Sequence, residues 1–594
     1  MKRKLFIGLL LCFSQMASAQ LRQIEGVVLD GRDISLLPGV EVCCGARADT
    51  AVTDAGGRFF LKVPASNVSL ELRIPGYGTL QKSVPAHQGF TTLFLYPDRD
   101  AAPKIAEGPG HYSGAAPPRV AGGLPVSVKV HQDETYEQVR ENPFRTTSLY
   151  PFSAFTLNAN DASFCNVRRF IVGKQMPPKE AVRIEEMVNH LPYAYPVDSA
   201  PGAPPLSMSP VVTTCPWHPG HWLLRLAVQA AAKPADTVIP NNIVLLVDIS
   251  GSMEAPNKLP LLKKAFRTLV EQMDSVDRIS VVVYAGSVSV ALPPTPGSEQ
   301  KKILDVIDNL SANGSTAGQA GIELAFKLAR ENFLRGGNNR VILATDGDFN
   351  VGQSSDEDMR ELISRYHDWG IYLTCIGVGM GNYKDSKLQT LAQWGQGNFV
   401  YLDNDQEASR VFGAGDYRKI LVTFLREARV KVVFNPEVAS SYRLIGYESR
   451  VNGPSDSLAS RLPGGEIGYG QSLTVFYEIT PNPSGAGDPA RRALATAALQ
   501  YQTVSDGRDH QQIQEIFPRL VPFAETGEAL RFRSAVTLFG MLLQHSEYLG
   551  DGSYAMVTKI VRDLKGREHK DERKAFVKLV DKASDLQKAL APVN

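Results

Sequence analysis

The sequence predicts a multi-domain protein, with a doubly wound α/β domain embedded in β-rich flanking segments, an N-terminal β-sandwich before them and helices at the C-terminal end. Three patterns predict this. Apolar and polar residues alternate in short runs near the N-terminus, continuous apolar runs alternate with one-faced helices in the middle, and β-type runs return before a helical stretch. The 594 residues correspond to about four domains. A content of 43% hydrophobic and 21% charged residues excludes wholesale disorder.

The first residues predict a secretory signal peptide over 1–19. Lys2-Arg3-Lys4 precedes the apolar run from Leu5 to Phe13, and Ala17-Ser18-Ala19 supplies a small-residue cleavage site. The run is shorter than the roughly 20 apolar residues that span a bilayer, so we expect no transmembrane segment in the mature chain. The expected location is periplasmic or cell-surface. Because the net charge is only +1, we expect no nucleic-acid partner.

Residues 20–97 are predicted to form the small β-sandwich, because period-two runs are separated there by turn residues. The strings Gly26-Val27-Val28, Pro38 to Val42 and Thr53 to Phe59 resemble those of carboxypeptidase regulatory-like domains. The resemblance implies a spacer or docking module. Residues 98–135 then become rich in Pro, Gly and Ala without an apolar period, which predicts a semi-stiff linker.

The doubly wound domain is predicted over residues 241–415. Ile243 to Val247 is a continuous apolar run, as in a strand covered on both faces, and the residues from Leu259 to Met273 repeat apolar side chains at helical spacing. A second helix is predicted to turn one face inward, and two further buried strands follow. The inward residues of that helix are Ile322, Phe326, Ala329 and Phe333, and the strands are Val341 to Ala344 and Ile371 to Val378.

The two flanks, residues 136–240 and 416–594, carry β-type runs on both sides of this domain. Trp222 to Val228 lies on one side and Val430 to Phe434 on the other, so we expect the α/β domain to be inserted into a β framework. In the first flank, Pro178 is expected to open a helix. The second flank becomes helical from about residue 529.

Five oxygen-bearing side chains predict a metal site at one edge of the α/β sheet. Asp248, Ser250 and Ser252 follow the first buried strand, Thr316 precedes the second amphipathic helix, and Asp346 ends the Val341 strand. The carboxyl ends of parallel strands meet at the edge where ligands bind in such folds. Hard oxygen donors of low total charge suit Mg²⁺ or another divalent cation such as Mn²⁺ or Ca²⁺.

These three segments resemble the metal-ion-dependent adhesion site of von Willebrand factor type A domains. The resemblance implies that Ser250, Ser252 and Thr316 contact the metal directly, while Asp248 and Asp346 bind it largely through water. It also implies that the open coordination position accepts a Glu or Asp carboxylate from a protein partner. The expected function is therefore cation-dependent adhesion or assembly in the bacterial envelope.

Further strings are similar to those of the YfbK-type bacterial von Willebrand A proteins, from about Pro143 to the C-terminus. Among them are Ala344-Thr345-Asp346-Gly347-Asp348-Phe349-Asn350, Phe434-Asn435-Pro436 and Gly465-Glu466-Ile467-Gly468. One departure is that Asn158 and Asn160 stand where acids are expected in relatives. A second cation contact at those two positions is therefore in doubt for this chain.

Two other function classes stay open on the sequence alone. A metal with a vacant position can also support hydrolysis, but no His lies in the three metal loops and no G-x-S-x-G, H-E-x-x-H or Walker A string occurs, so we expect no enzyme. The alternative is a structural envelope protein with a silent metal site. The oligomeric state is not predicted.

The cysteines and histidines predict no further metal or disulfide framework. Five cysteines remain beyond the signal peptide, an odd and widely spread set for which free thiols are expected. His218 and His221 lie near Cys215, but a fourth zinc ligand is missing from the sequence around them. The five are Cys43, Cys44, Cys165, Cys215 and Cys375.

Overall fold

The computed structural model divides the chain into two compact units, 1–109 and 110–594. The predicted signal peptide and most of the predicted linker lie outside the described residues. No helix of the described part is both long and apolar enough to cross a membrane. The description covers residues 21–31, 35–45, 50–97, 127–131, 133–157, 159–191, 193, 195, 203–234, 237–314, 318–347, 356–413, 417–448, 464–483 and 491–590.

The N-terminal unit is a β-sandwich, as predicted. One sheet has the order β4-β1-β7 and the other β3-β2-β5-β6, and the apolar residues of both sheets share one buried core. Strand β4 has the predicted alternation, because Phe59, Leu61 and Val63 are buried while the residues between them are exposed. The strands are β1 Leu21–Asp30, β2 Glu41–Cys44, β3 Thr50–Val52, β4 Arg58–Pro64, β5 Val68–Arg73, β6 Leu80–Val84 and β7 Phe90–Leu95.

The second unit begins with strands and two helices that precede the α/β domain. The elements are β8 Ser127–His131, β9 Glu134–Glu137, β10 Arg145–Thr146, β11 Phe152–Thr156, α1 Ala162–Val172, α2 Ile184–His190, β12 Leu206–Thr214 and β13 Trp222–Ala230. The prediction that Pro178 begins this helix is wrong, because a short 3₁₀ turn ends at Ala181 and α2 begins only at Ile184. Arg183 is extended between them because its main-chain nitrogen donates to Ser163 Oγ at 2.8 Å.

The α/β domain follows, with a six-stranded sheet between two helical layers. Its strands are β14 Asn241–Asp248, β15 Arg278–Tyr284, β16 Val288–Pro296, β17 Asn338–Thr345, β18 Ile371–Val378 and β19 Phe399–Leu402. Its helices are α3 Leu259–Val270, α4 Gln300–Asp308, α5 Gly318–Glu331, α6 Asp356–Asp368, α7 Asp385–Trp394, α8 Asp405–Phe412 and α9 Tyr417–Leu421. The order is β16-β15-β14-β17-β18-β19, which is the predicted doubly wound arrangement.

Two details of this domain differ from the expectation. The edge strand β16 is antiparallel to β15, whereas the sequence suggested a purely parallel sheet. Phe333 does not face inward, because α5 ends at Glu331 and the Phe333 side chain is 42% exposed. Both differences occur where the local apolar period stops, so tertiary contacts and not periodicity decide the structure there.

The chain after this domain completes the framework begun before it. The remaining elements are β20 Thr423–Phe434, β21 Ala439–Ile445, β22 Gly465–Gly468, β23 Ser472–Pro481, β24 Ala495–Thr503, β25 Asp509–Ile516, α10 Glu528–Leu543, α11 Tyr554–Arg562 and α12 Lys570–Leu590. One sheet has the order β10-β21-β23-β13-β12 and the other β11-β20-β24-β25, with β22 against β20. Each sheet takes strands from both flanks, so the α/β domain is inserted into a β framework, as expected.

Helices cover the outer face of the β13-containing sheet. Helix α10 packs against α2 and α11, and buried residues such as Trp217, Ile445 and Phe476 form a hydrophobic core between these helices and the sheet. Another hydrophobic core lies between the two sheets of the framework. The flanks therefore form a body with three layers, two of strands and one of helices.

Candidate metal centre

The three central strands of the α/β sheet end at one edge. Strand β14 lies between β15 and β17 with parallel pairing on both sides. The chain continues from β14 to β15 in one half of the sheet and from β17 to β18 in the other half. This is the switch point at which open α/β sheets bind ligands. Asp248 is the last residue of β14, and Asp346 directly follows β17. Both carboxylates are fully buried.

The Asp248 carboxylate is fixed by hydrogen bonds on both oxygens. Its Oδ1 accepts from the main-chain nitrogen of Ser250 at 2.9 Å. Its Oδ2 accepts from Thr345 Oγ1 at 2.8 Å and from the Tyr284 hydroxyl at 3.2 Å. Because the end residues of β15 and β17 both hold this carboxylate, the loop after β14 starts in a defined direction.

The two serines connect this loop to Asp346. Ser250 Oγ and Ser252 Oγ are 3.1 Å apart, and Ser252 Oγ donates to Asp346 Oδ2 at 2.7 Å. Four of the five predicted ligands therefore lie together. Thr316 falls outside the described residues, between Gly314, whose carbonyl accepts from Gly251 N at 3.1 Å, and the start of α5 at Gly318.

The spacing of these oxygens suits a small divalent cation. Mg²⁺ binds oxygens at about 2.0–2.1 Å in octahedral geometry, so neighbouring ligand oxygens are about 2.9 Å apart. The oxygen pairs of Ser250 with Ser252 and of Ser252 with Asp346 are separated by 3.1 and 2.7 Å. The residues present therefore fit a magnesium ion in donor type, and the two serine hydroxyls are close enough together to share one.

Lys258 and Asn382 also contact Asp346, and the sequence did not indicate either of them. Lys258 Nζ donates to Asp346 Oδ2 at 2.9 Å and to Asn382 Oδ1 at 3.0 Å. Asn382 Nδ2 donates to the same Asp346 oxygen at 2.9 Å. Lys258 immediately precedes α3, and a lone Lys or Asn carries no pattern that would reveal such a long-range contact.

The two carboxyl groups have different electrostatic surroundings. Burial raises the pKa of Asp248, although the hydrogen bonds from Ser250 and Thr345 act in the opposite direction. Burial also acts to raise the pKa of Asp346, but hydrogen bonds from Ser252, Asn382 and Lys258 outweigh it and hold that pKa below its usual value. Asp346 is therefore an ionised carboxylate that already has one cationic partner.

Strand β9, which crosses the boundary between the predicted linker and the first flank, holds the loop that carries Asn382. Glu134 in β9 accepts from the main-chain nitrogen of Gly381 at 2.7 Å, and Thr135 N donates to the Tyr383 carbonyl at 3.0 Å. Glu134 is itself fixed by Arg169, whose two terminal nitrogens donate to its carboxylate at 2.8 and 2.9 Å. The flank therefore contacts the residues on both sides of Asn382.

The other residues that the sequence singled out, Asn158, Asn160 and the cysteines, lie away from the two aspartates of this edge or outside the described residues. Asn160 Oδ1 accepts from the main-chain nitrogen of Phe399 at the start of β19, at 2.8 Å, and Asn158 lies outside the described residues. The five cysteines beyond the predicted signal peptide form no disulfide with one another, and three of them are buried. Within the described residues, burial raises the pKa of Cys215 and Cys375.

The fold and the arrangement of this edge define a von Willebrand factor type A domain protein. The sequence model of the von Willebrand factor type A domain matches residues 242–413, and a von Willebrand factor model matches residues 130–225. The class is one of protein-interaction domains. The model described as "Uncharacterized protein YfbK, C-terminal" matches residues 419–586.

Protein YfbK of Escherichia coli is 32% identical over 470 residues, which cover 76% of this chain and 81% of that protein. The chain belongs to the YfbK family. The protein sll0103 of Synechocystis is 28% identical over 192 residues, 32% of this chain and 44% of that protein. A solved von Willebrand factor type A structure from Catenulispora acidiphila has 14% identity and a TM-score of 0.37, over 66% of this chain and 91% of that one.

Proposed function

We propose that this chain is a divalent-cation-dependent protein-binding protein of the bacterial envelope. Asp248, Ser250, Ser252, Thr316 and Asp346 would hold Mg²⁺, or Mn²⁺ or Ca²⁺ in its place. The observation that carries the proposal is the chain of contacts at the sheet's switch point, which runs from the buried Asp248 and Ser250 through the exposed Ser252 to the buried Asp346. When bound, the cation supplies an electrophilic position for a carboxylate of the partner.

The residues of the edge explain why binding would be switchable. The two serine hydroxyls are neutral, and the Asp346 charge is shared with Lys258, so the protein neutralises the cation only in part. An Asp or Glu of the partner adds the missing negative charge and forms a charge-assisted contact. Without the cation, the two buried aspartates repel such a carboxylate. Neighbouring loops would then supply specificity.

We propose a binding role and no catalysis, because the described side chains that contact Asp248 and Asp346 include no histidine. They are hydroxyls, an amide and the Lys258 ammonium, which donates to Asp346. Hydrolysis would need a base beside the metal. The proposed location, periplasmic or cell-surface, depends on the N-terminal signal sequence, and the N-terminal sandwich would act as a carboxypeptidase regulatory-like spacer or docking module.

The test compares the parent chain with Asp248→Ala and Thr316→Ala, and uses Asp308→Ala, an exposed aspartate at the end of α4, as the control. Calorimetric titration with MgCl₂ alone measures the site, and cross-linking pull-down from envelope extract with Mg²⁺ or EDTA measures the partner. Both site variants should lose Mg²⁺ binding and capture, and Asp308→Ala should keep both. Thermal unfolding checks that each variant is folded.

Each outcome separates the proposal from its alternatives. Mg²⁺ binding together with capture that survives EDTA would favour a structural protein with a silent metal site. Absence of Mg²⁺ binding by the parent at millimolar MgCl₂ would overturn the metal assignment itself. Mg²⁺-dependent turnover of a substrate that stops in Asp248→Ala would favour a hydrolase.

A further inference from the structure

Two histidines of the first flank are brought together by a tight turn. His218-Pro219-Gly220-His221 lies in the loop between β12 and β13, and His221 N donates to the His218 carbonyl at 3.1 Å. Pro at the second position and Gly at the third, with a φ of +87° at Gly220, are typical of a type II turn. The two imidazole rings are consequently only 3.6 Å apart between centroids.

A carboxylate from the other flank completes this cluster. Strand β23 pairs with β13, which places Glu478 opposite Leu223 and directly below the turn. Glu478 Oε1 lies 2.9 Å from His218 Nδ1 and 2.7 Å from His221 Nδ1. The three potential ligand atoms all lie within 4.8 Å of one another. Some 257 residues separate His221 from Glu478, so no local sequence pattern could reveal this third ligand.

We propose that His218, His221 and Glu478 form a binding site for a transition-metal dication of the Zn²⁺ type, separate from the Mg²⁺ edge. Two imidazoles and one carboxylate are a ligand set that zinc uses in proteins when its fourth position is open to water or to an outside ligand. Nitrogen donors also favour Zn²⁺ over Mg²⁺, which prefers oxygen alone.

The second oxygen of Glu478 is held in a way that suits such a site. Glu478 Oε2 accepts from Trp217 Nε1 at 3.3 Å and from Arg443 Nη2 at 3.2 Å, which fixes the carboxylate and leaves Oε1 directed at the histidines. Hydrogen-bonded supports of this kind orient metal ligands. His221 Nε2 lies 3.4 Å from Thr480 Oγ1, which can accept a hydrogen bond from the Nε2–H group when Nδ1 binds a metal.

The charges around the site also permit a dication. The Arg443 guanidinium opposes a metal, but its Nη1 donates to Glu141 Oε1 at 2.8 Å. Two carboxylates therefore surround one guanidinium, and the group carries one net negative charge before a metal binds.

The ligand atoms need only a small movement. Zinc holds nitrogen and oxygen at about 2.0–2.1 Å, so tetrahedral neighbours are about 3.4 Å apart. The present nitrogen-to-oxygen distances of 2.9 and 2.7 Å must therefore open by about 0.5 to 0.7 Å. His218 can make this movement because its side chain is 42% exposed. The same exposure gives the metal a path from solvent.

A second cluster of this kind, Cys165, His190 and Glu407, does not carry the same inference. Glu407 is buried and already accepts hydrogen bonds from Arg168 at 3.0 Å and from Arg410 at 2.7 Å. Both oxygens of the Glu407 carboxylate are therefore already taken by guanidiniums, which also pair with Asp403 and Asp161, so a metal would have to break this ion-pair network. Burial also raises the pKa of Cys165, which disfavours the thiolate that would bind a metal.

The test uses the full chain without a polyhistidine tag, in an Asp248→Ala background so that the proposed Mg²⁺ edge does not contribute. Calorimetric titration with ZnCl₂ should show one site in this background, and CoCl₂ should give the intense visible absorption of tetrahedral Co²⁺. His218→Ala and His221→Ala should each weaken Zn²⁺ binding at least tenfold and remove that absorption. His510→Ala, in β25, is the matched control and should change neither.

Two results would overturn the proposal. One is that the Asp248→Ala chain binds no stoichiometric Zn²⁺, and the other is that binding survives in both histidine variants. Thermal unfolding without metal verifies the fold of each variant, and the exposed His218 makes that variant the safer of the two. Because Mg²⁺ binding is judged on the parent chain with both histidines present, failure here leaves the proposed function intact, and the reverse also holds.

Discussion

Removal of the buried arginine that joins the first flank to the α/β domain should destabilise the protein strongly. Arg183 Nη1 donates to Asp385 Oδ1 at 2.6 Å, and Nη2 donates to Oδ2 at 3.3 Å. The side chains of Arg183 and Asp385 are 5% and 0% exposed. Glu186, also buried, lies 2.8 Å from Arg183 Nε. Arg183→Met would leave two buried carboxylates without their cation.

The expected loss of stability depends on how many buried charges are left without a partner. Breaking a buried ion pair by removing one partner costs about 3–5 kcal/mol, and Arg183→Met should lie at the upper end because two carboxylates lose their partner. Asp385→Leu should cost less, since Arg183 keeps Glu186. The double variant Arg183→Met/Asp385→Leu should cost less than the sum of the single variants, because Asp385 no longer needs a cation.

Urea unfolding followed by tryptophan fluorescence measures these differences, and Trp394 at the end of the same helix, α7, provides a local reporter. With a urea dependence of about 3 kcal/mol per molar, Arg183→Met should lower the midpoint by about 1 M or more. The reasoning is refuted if Arg183→Met unfolds at the parent midpoint, or if the double variant costs as much as the two single variants together.

Three further predictions concern the metal edge and the pH dependence. Lys258→Gln removes the ammonium that lies 2.9 Å from Asp346 Oδ2, so calorimetry should show Mg²⁺ binding at least about tenfold tighter, equivalent to about 1.4 kcal/mol; equal affinity would contradict this. Gly370→Ala, at a φ of +81° and with its new Cβ in ordinary contact with the Phe333 ring at 3.8 Å, should cost about 1–2 kcal/mol. Gly347→Ala, at +94° and with its new Cβ driven against the Lys384 main chain, should cost more than twice as much in urea unfolding. Burial lowers the pKa of His367 below its ordinary 6.5, despite a neighbouring carboxylate. As the pH falls below about 6.5, the unfolded chain therefore binds a proton at this histidine more readily than the folded chain does, and the folded state loses stability. His367→Phe should reduce the loss of thermal stability between pH 7 and 5.

The architecture was predictable wherever apolar residues repeated at a constant spacing over many residues. The both-face-buried strand from Ile243 to Val247 and the helix from Leu259 identified the α/β domain, and the β runs on each side of it indicated the insertion. Strand order was not predictable, because pairs such as β13 with β23 join residues about 250 positions apart. The antiparallel edge strand β16 is a similar case, since an edge strand carries a weak pattern.

The candidate ligands at the edge could be predicted because three short segments together resemble the metal-ion-dependent adhesion site of von Willebrand factor type A domains. Lys258 and Asn382 were missed because each is a single polar residue whose partner, Asp346, is 88 or 36 residues away. Glu478 was missed for the same reason: His218 and His221 are a visible local pair, but their third partner comes from the opposite flank. Long-range polar contacts leave no period in the sequence, whereas apolar faces do.

The insertion has a physical consequence for the proposed metal site. Strand β9 of the first flank bonds to Gly381 and Tyr383, the two neighbours of Asn382, and Asn382 donates to Asp346. Arg169 holds Glu134 in that strand. A shift of the flank would therefore move an amide that contacts a proposed ligand.

At its other end, strand β17 is held by the second flank, because Arg340 donates to Thr423 at 2.6 Å and lies 3.4 Å from Glu466. Six residues further along the chain, Asp346 stands at the metal edge. Both flanks thus hold elements that determine the position of Asp346, one through Asn382 and the other through β17. Since rigid supports decide how well ligands are preorganised, the cation affinity of the edge should depend on the framework as well as on the five proposed ligands.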